Sequence, residues 1–208
     1  MKPRTLILFA AASLGLRIAA ACAQDPVPAH QGLPAKLVES GQITVAGQSI
    51  PYTIHRLPVS SFPALPDAIQ DELNRRGCLI PQTYEAHQPE NVVHANLKGR
   101  DSSDWALLCS VHGTVSLLVF FEDGAKPPTV LASAPETERL QSHDPTGVLG
   151  FNWGIDPASP KQVREAQAGM EHRPPPLDHD ALADTLVDHH TIYHFYLRNV
   201  WVLLETQD

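Results

Sequence analysis

Two carboxylates and two hydroxyls fall on four consecutive residues, Asp101-Ser102-Ser103-Asp104. Oxygen ligands at that density suit calcium, which takes about six to eight of them. Asp101 and Asp104 are therefore the candidate metal ligands; no cofactor is expected, with calcium at this loop as the alternative. Arg100 places a cation inside the same loop and the ligand count is low. A solvated turn capping the strand that follows is the plainer reading.

A second set gathers toward the C-terminus: Asp178-His179-Asp180, Asp184, Asp188-His189-His190 and His194. On a helix, His190 and His194 would share a face and could hold zinc. Thr191–Leu197, however, is rich in β-branched and aromatic residues, which favour a strand. There the two histidines stand about 13 Å apart, too far for one ion. A hydrolase would need a helix before them to bring His179 or Asp184 to His190. Ser110, His112 and Asp123 are a third possibility, but no Gly-x-Ser-x-Gly elbow accompanies them. Glu136 and Glu138 form a carboxylate pair that reads as solvated loop. Trp105, Trp153 and Trp201 all fall in expected strands, where packing is a commoner fate than a ligand platform.

The first 23 residues address the chain. Lys2 and Arg4 precede an apolar run over Leu6–Leu16, and Ala21-Cys22-Ala23 sets small residues before Gln24. That order is a secretory signal peptide, and the run is shorter than the roughly 20 residues that span a bilayer. Export to the periplasm or beyond is expected. The membrane enters only if Cys22 is lipidated, for which Ala19-Ala20-Ala21-Cys22 is a poor lipobox. Removing residues 1–23 takes three cations, Lys2, Arg4 and Arg17, and no acids. Lys+Arg falls from 15 to 12 against 23 Asp+Glu, so the net charge moves from −8 to −11. An acidic chain is repelled by phosphate backbones, which argues against nucleic acid as a partner. Cys78 and Cys109 remain as an even pair in an oxidising compartment, and a disulfide between them is expected.

These residues must be positioned by a single domain. Residues 24–36, with Pro26, Pro28 and Pro34, read as a linker, and 37–208 as one domain, monomeric by size. Gln42–Ala46 and Ser49–Arg56 suggest a hairpin around Gly47-Gln48. Pro66–Arg76 is the clearest helix, with Leu65, Ile69 and Leu73 as its buried stripe and Gly77 closing it. Asn91–Leu97, Asp104–Val111 and Thr114–Phe121 read as strands. The last two are nearly continuous apolar runs, as in strands covered on both faces. Val130–Ala134 and Leu149–Trp153 add one strand each. Ser159–Ala168 opens with Ser159, Pro160 and Gln162, a capping box. Leu177–Val187 suggests a short acidic helix, and Thr191–Leu197 with Val200–Glu205 a terminal hairpin. Strand pairs and isolated helices in this order argue for an α+β fold, mainly antiparallel, with two or three short helices.

Gly77-Cys78-Leu79-Ile80-Pro81-Gln82, Asp104-Trp105-Ala106-Leu107-Leu108-Cys109-Ser110 and the terminal Trp-bearing hairpin resemble a group of uncharacterised exported bacterial proteins. The resemblance covers most of the chain after the leader and implies an envelope or secreted setting, with no activity attached. Over about ten residues, the Gly99–Leu107 stretch also resembles half of an FG-GAP-type repeat, whose acidic loop leads into an apolar strand. The function expected is a non-catalytic envelope or secreted protein that binds a protein, glycan or small ligand. The alternatives are a calcium-supported binding module built on Asp101 and Asp104, and a secreted hydrolase using the His and Asp residues of the C-terminal region.

Overall fold

The structure, a computed structural model, describes residues 37–206 except 123, 125, 143, 144 and 169. Residues 1–36, to which the expected signal peptide with Cys22 and the expected linker belong, and Asp123 lie outside the described residues. Mostly antiparallel β-structure with two helices is what forms. The strands are β1 (Leu37–Val45), β2 (Gln48–Pro58), β3 (Leu79–Gln82), β4 (Val92–Ala95), β5 (Asp104–Val111), β6 (Thr114–Phe120), β7 (Thr129–Pro135), β8 (Leu140–Ser142), β9 (Leu149–Phe151), β10 (Trp153–Ala158), β11 (Ala181–Leu186), β12 (His190–Leu197) and β13 (Val200–Glu205). The helices are α1 (Asp67–Arg76) and α2 (Pro160–Ala166).

Strands β1–β9 make one nine-stranded sheet, and β10-β11-β12-β13 make a second. All pairings are antiparallel except β2 with β9. The large sheet forks at β2. β1 runs along one edge of β2 from Arg56 to Gln48. The opposite edge is shared, with β3 at residues 55–58 and β9 at 52–53.

The apolar runs of β5 and β6 explain the layering. Ala106, Leu108, Val115, Leu117 and Val119 face a cluster that includes Trp153, Ile155 and Leu182 of the second sheet. The alternate residues Trp105, Leu107, Cys109, Leu118 and Phe120 pack with Ile69 and Leu73 of α1. Both faces are therefore covered, which is why these strands lack a polar side. On the far face of the second sheet, Phe195 and Leu204 pack on Val163 of α2. The order of layers is thus α1, large sheet, small sheet, α2.

Local signals account for the ends of the elements. Gly77 closes α1 at φ 74°, and the Cys78 and Gly77 amides return to Leu73 and Asn74 in the six-to-one and five-to-two pattern of a Schellman turn. Pro66 caps α1 from just outside rather than occupying its first turn. Ser159 and Gln162 form the full capping box of α2. The first hairpin turns at Ala46-Gly47, one residue earlier than expected, because both residues take positive φ as a two-residue turn demands.

Two expectations fail and one strand went unassigned. Leu149–Trp153 is two strands, not one: the chain leaves the large sheet at Phe151 and enters the small one at Trp153. Leu79–Gln82, unassigned from sequence, is β3. The acidic helix over Leu177–Val187 is instead strand β11, an inner strand of the small sheet. Its alternation is masked because both faces are covered and one core-facing position is a carboxylate, Asp184. The Cys78–Cys109 disulfide is present, with Cα atoms 5.2 Å apart, tying the end of α1 to β5.

Candidate functional site

The acidic loop joins β4 to β5 and is held from within. Asp104 is fully buried. Its Oδ2 accepts the Lys98 amide at 2.8 Å and the Ser102 hydroxyl at 2.5 Å, while Oδ1 accepts the Glu122 amide at 2.9 Å. Ser102 Oγ also accepts the Lys98 and Gly99 amides and lies 2.8 Å from the Gly99 carbonyl, the alternative acceptor for its one hydrogen. Donors thus point at both oxygens of Asp104, the opposite of what a cation requires. Asp101 stays exposed at the loop tip. Arg100 turns outward onto Asp178 at 3.5 Å.

Trp105 lies beside this loop. Its indole stacks on the His94 ring, with centroids 4.3 Å apart and planes 12° apart. His94 Nε2 is 2.8 Å from Ser103 Oγ. Asp101, Ser102, Ser103, Trp105, Glu122 and Pro66 line an open pocket of about 470 Å³, within the range of small-molecule sites. Glu122 pairs with Lys98 at 3.0 Å, which lowers the carboxyl pKa and raises that of the ammonium. Asp101 and Trp105 thus meet at one pocket, whereas Asp104 serves to hold the loop.

The histidine-rich region does not gather as a metal site would. His179 binds Asp178 at 2.9 Å and the Tyr196 carbonyl at 2.8 Å. Asp184 meets His194 instead of His190: the carboxylate is 3.0 Å from His194 Nε2 and accepts the Trp153 indole N–H at 2.5 Å. The β11–β12 register makes Asp184 and His194 diagonal neighbours, while His190 lies exposed opposite Leu186. This dyad is sealed between the sheets, at 7% and 2% exposure, which leaves a substrate no route to it. Asp188 accepts the Tyr84 hydroxyl at 2.9 Å; burial first, and then that bond, pushes the Tyr84 pKa up to about 12. Among the described residues, no three His, Cys, Asp or Glu side chains gather to hold a metal ion.

Ser110 and His112 do reach one pocket, of about 290 Å³, together with Glu39, Arg56 and Arg76. Ser110 donates to Glu136 Oε1 at 2.7 Å. Glu136 is 3% exposed, not solvated as its loop suggested, because Arg56 grips it with Nε at 2.8 Å and with Nη2. The Arg56 guanidinium, held by Glu136 above all, has a raised pKa and turns its Nη1 to Glu39 at 2.9 Å. A serine tied to a carboxylate that is already neutralised lacks the free base a nucleophile needs. Glu138 stays exposed.

Sequence reasoning missed two positioning residues. Arg56 lies on the apolar Tyr52-Ile54 face of β2, and a charge at that period signals a buried partner. Asn91, with φ 67°, donates to the Pro81 and Trp153 carbonyls and accepts the Ile155 amide, joining the two sheets. No helix among the described residues is long and apolar enough to cross a membrane. The chain matches no family model, no curated protein and no solved structure.

Proposed function

We propose that this chain is a non-catalytic binding protein working outside the cytoplasm, and that it takes a donor-rich ligand, bearing amines or hydroxyls, in the pocket of the 101–103 loop. One observation carries the reading. The loop satisfies its own polar groups through Asp104 and Ser102, so it is rigid before any ligand arrives, and it holds Asp101, Ser103 and the Trp105 edge toward about 470 Å³ of open space. A pre-ordered acceptor set needs little further ordering on binding. The acidic balance of the chain favours an amine among such ligands. Export rests on the leader and on the resemblance to exported bacterial proteins.

Titration calorimetry with a polyamine in one arm and a neutral oligosaccharide in the other tests it. One class should bind, and Asp101→Asn should weaken that binding about tenfold, roughly one charge-assisted hydrogen bond, without lowering the melting temperature. Failure of both classes, or binding indifferent to Asp101→Asn, sinks the reading. Calcium held by Asp101 is the second reading, and the donors aimed at Asp104 weigh against it. Millimolar calcium should leave melting unchanged. A rise of several degrees that Asp101→Asn abolishes would favour calcium instead.

A further inference from the structure

We propose that the free edge of β1 pairs with the β1 edge of a second copy of this chain, antiparallel, about a two-fold axis at Gly41. The hydrogen-bond phase of the strand carries the argument. Ala46 and Gly47 form a two-residue turn with φ 49° and 81°, so Val45 and Gln48 are a hydrogen-bonded pair. Counting back two at a time, Ile43, Gly41, Glu39 and Leu37 bond to β2. The N–H and C=O groups of Val38, Ser40, Gln42 and Thr44 therefore point away from β2, toward an edge that no described strand covers.

Pairing about Gly41 sets Val38 opposite the second copy's Thr44, and Ser40 opposite its Gln42. Each such pair exchanges two hydrogen bonds, so every outward group on all four residues finds a partner. A shift of two residues strands Val38 or Thr44, and a shift of one puts opposite faces together, which a two-fold axis forbids. The same register places Leu37 opposite Val45, side chains now 46% and 45% exposed. Glu39, already bound to Arg56 and to the Tyr52 hydroxyl, falls opposite Ile43. The two copies of Glu39 then stand about 13 Å apart, beyond the roughly 8 Å screening length at physiological salt.

The edge is weakly guarded, its one charge, Glu39, being held by Arg56. Proteins protect exposed edges with lysine, proline, bulges or brevity. β7 follows Pro127-Pro128 and ends at Pro135, and β8 has three residues. β1 runs nine residues with no proline or lysine. Strand pairing alone buries less than the about 1,200 Å² of a standard stable interface, so the dimer exchanges with monomer. This departs from the monomer that chain length suggests.

Sedimentation of the purified chain across micromolar to submillimolar concentration, at low and high salt, tests the proposal. We expect a monomer–dimer equilibrium that tightens with salt as self-repulsion is screened. Gln42→Pro removes an outward N–H without touching the β2 ladder, and should weaken association at least about tenfold while melting stays cooperative. Leu37→Glu should weaken it similarly, and adding Val45→Lys should restore it. Leu203→Lys, on a different edge strand, β13, should change nothing. A monomer at every concentration overturns the proposal. So does a dimer that Leu203→Lys abolishes and Gln42→Pro leaves intact.

Discussion

Taking a guanidinium out of water costs several kcal/mol unless its partners are well placed. Arg56 answers that cost with Glu136 and Glu39, and Glu136 in turn takes the Ser110 hydroxyl. Removing one member leaves the other charge buried. Arg56→Met should therefore destabilise the fold by about 3–5 kcal/mol, and Arg56→Met with Glu136→Leu should recover most of that. Denaturant unfolding of the three proteins checks it, and a double variant no better than the single one would show that the two charges are not coupled. The charge on the core face of β2 was visible in the sequence. Its partner, 80 residues away, was not, because a loop glutamate carries no mark of its burial. The same limit applied to Asp104: the sequence flagged it as a ligand, and only its neighbours show it to be a loop anchor.

At the scale of elements, the terminal hairpin is part of the core. Leu204 of β13 packs with Val163 and Phe195, while Trp201 contacts Tyr196 and Phe121 at ring separations of 5.3 and 6.0 Å. Deletion from Arg198 onward would uncover Phe195 and leave β12 as a bare edge. The truncated chain should be poorly soluble or readily cleaved under limited proteolysis. A soluble, cooperatively melting product would show the hairpin to be an appendage. Trp201 is only half-buried, so Trp201→Ala should cost about 2 kcal/mol, below the 3–5 typical of a sealed tryptophan. Turn chemistry made this hairpin readable, since Arg198-Asn199 separates two apolar runs. β11 was not readable: β12 follows it after three residues, but the Asp184 carboxylate on its core-facing side hides the alternation, and β10 on its other side comes from far along the chain.

Across the whole molecule, the Cys78–Cys109 bridge joins the α1 layer to the large sheet. It closes a loop spanning 31 positions, for which chain entropy gives about 3–4 kcal/mol. Reduction should lower the melting temperature and add two hydrogens to the mass, and two alkylatable thiols in the untreated protein would show the bridge unformed. Asn91 supplies another long-range tie, bonding β10 of the small sheet to the β3 carbonyl of Pro81.

The sequence by itself determined whatever depends on neighbours along the chain. That covers α1 with its glycine stop, the capping box of α2, the terminal hairpin, and the two-sided burial of β5 and β6. Each follows from side-chain period or from backbone φ, which a few adjacent residues set. Tertiary structure decided what depends on residues far apart. It split Leu149–Trp153 between two sheets, turned the acidic 181–186 stretch into a strand, paired Asp184 with His194, and gave Asp104 to the Lys98 and Glu122 amides. The split follows from strand pairing that no local period announces, and the carboxylates were misjudged because a carboxylate reads the same in sequence whether it faces water, a metal or a buried amide.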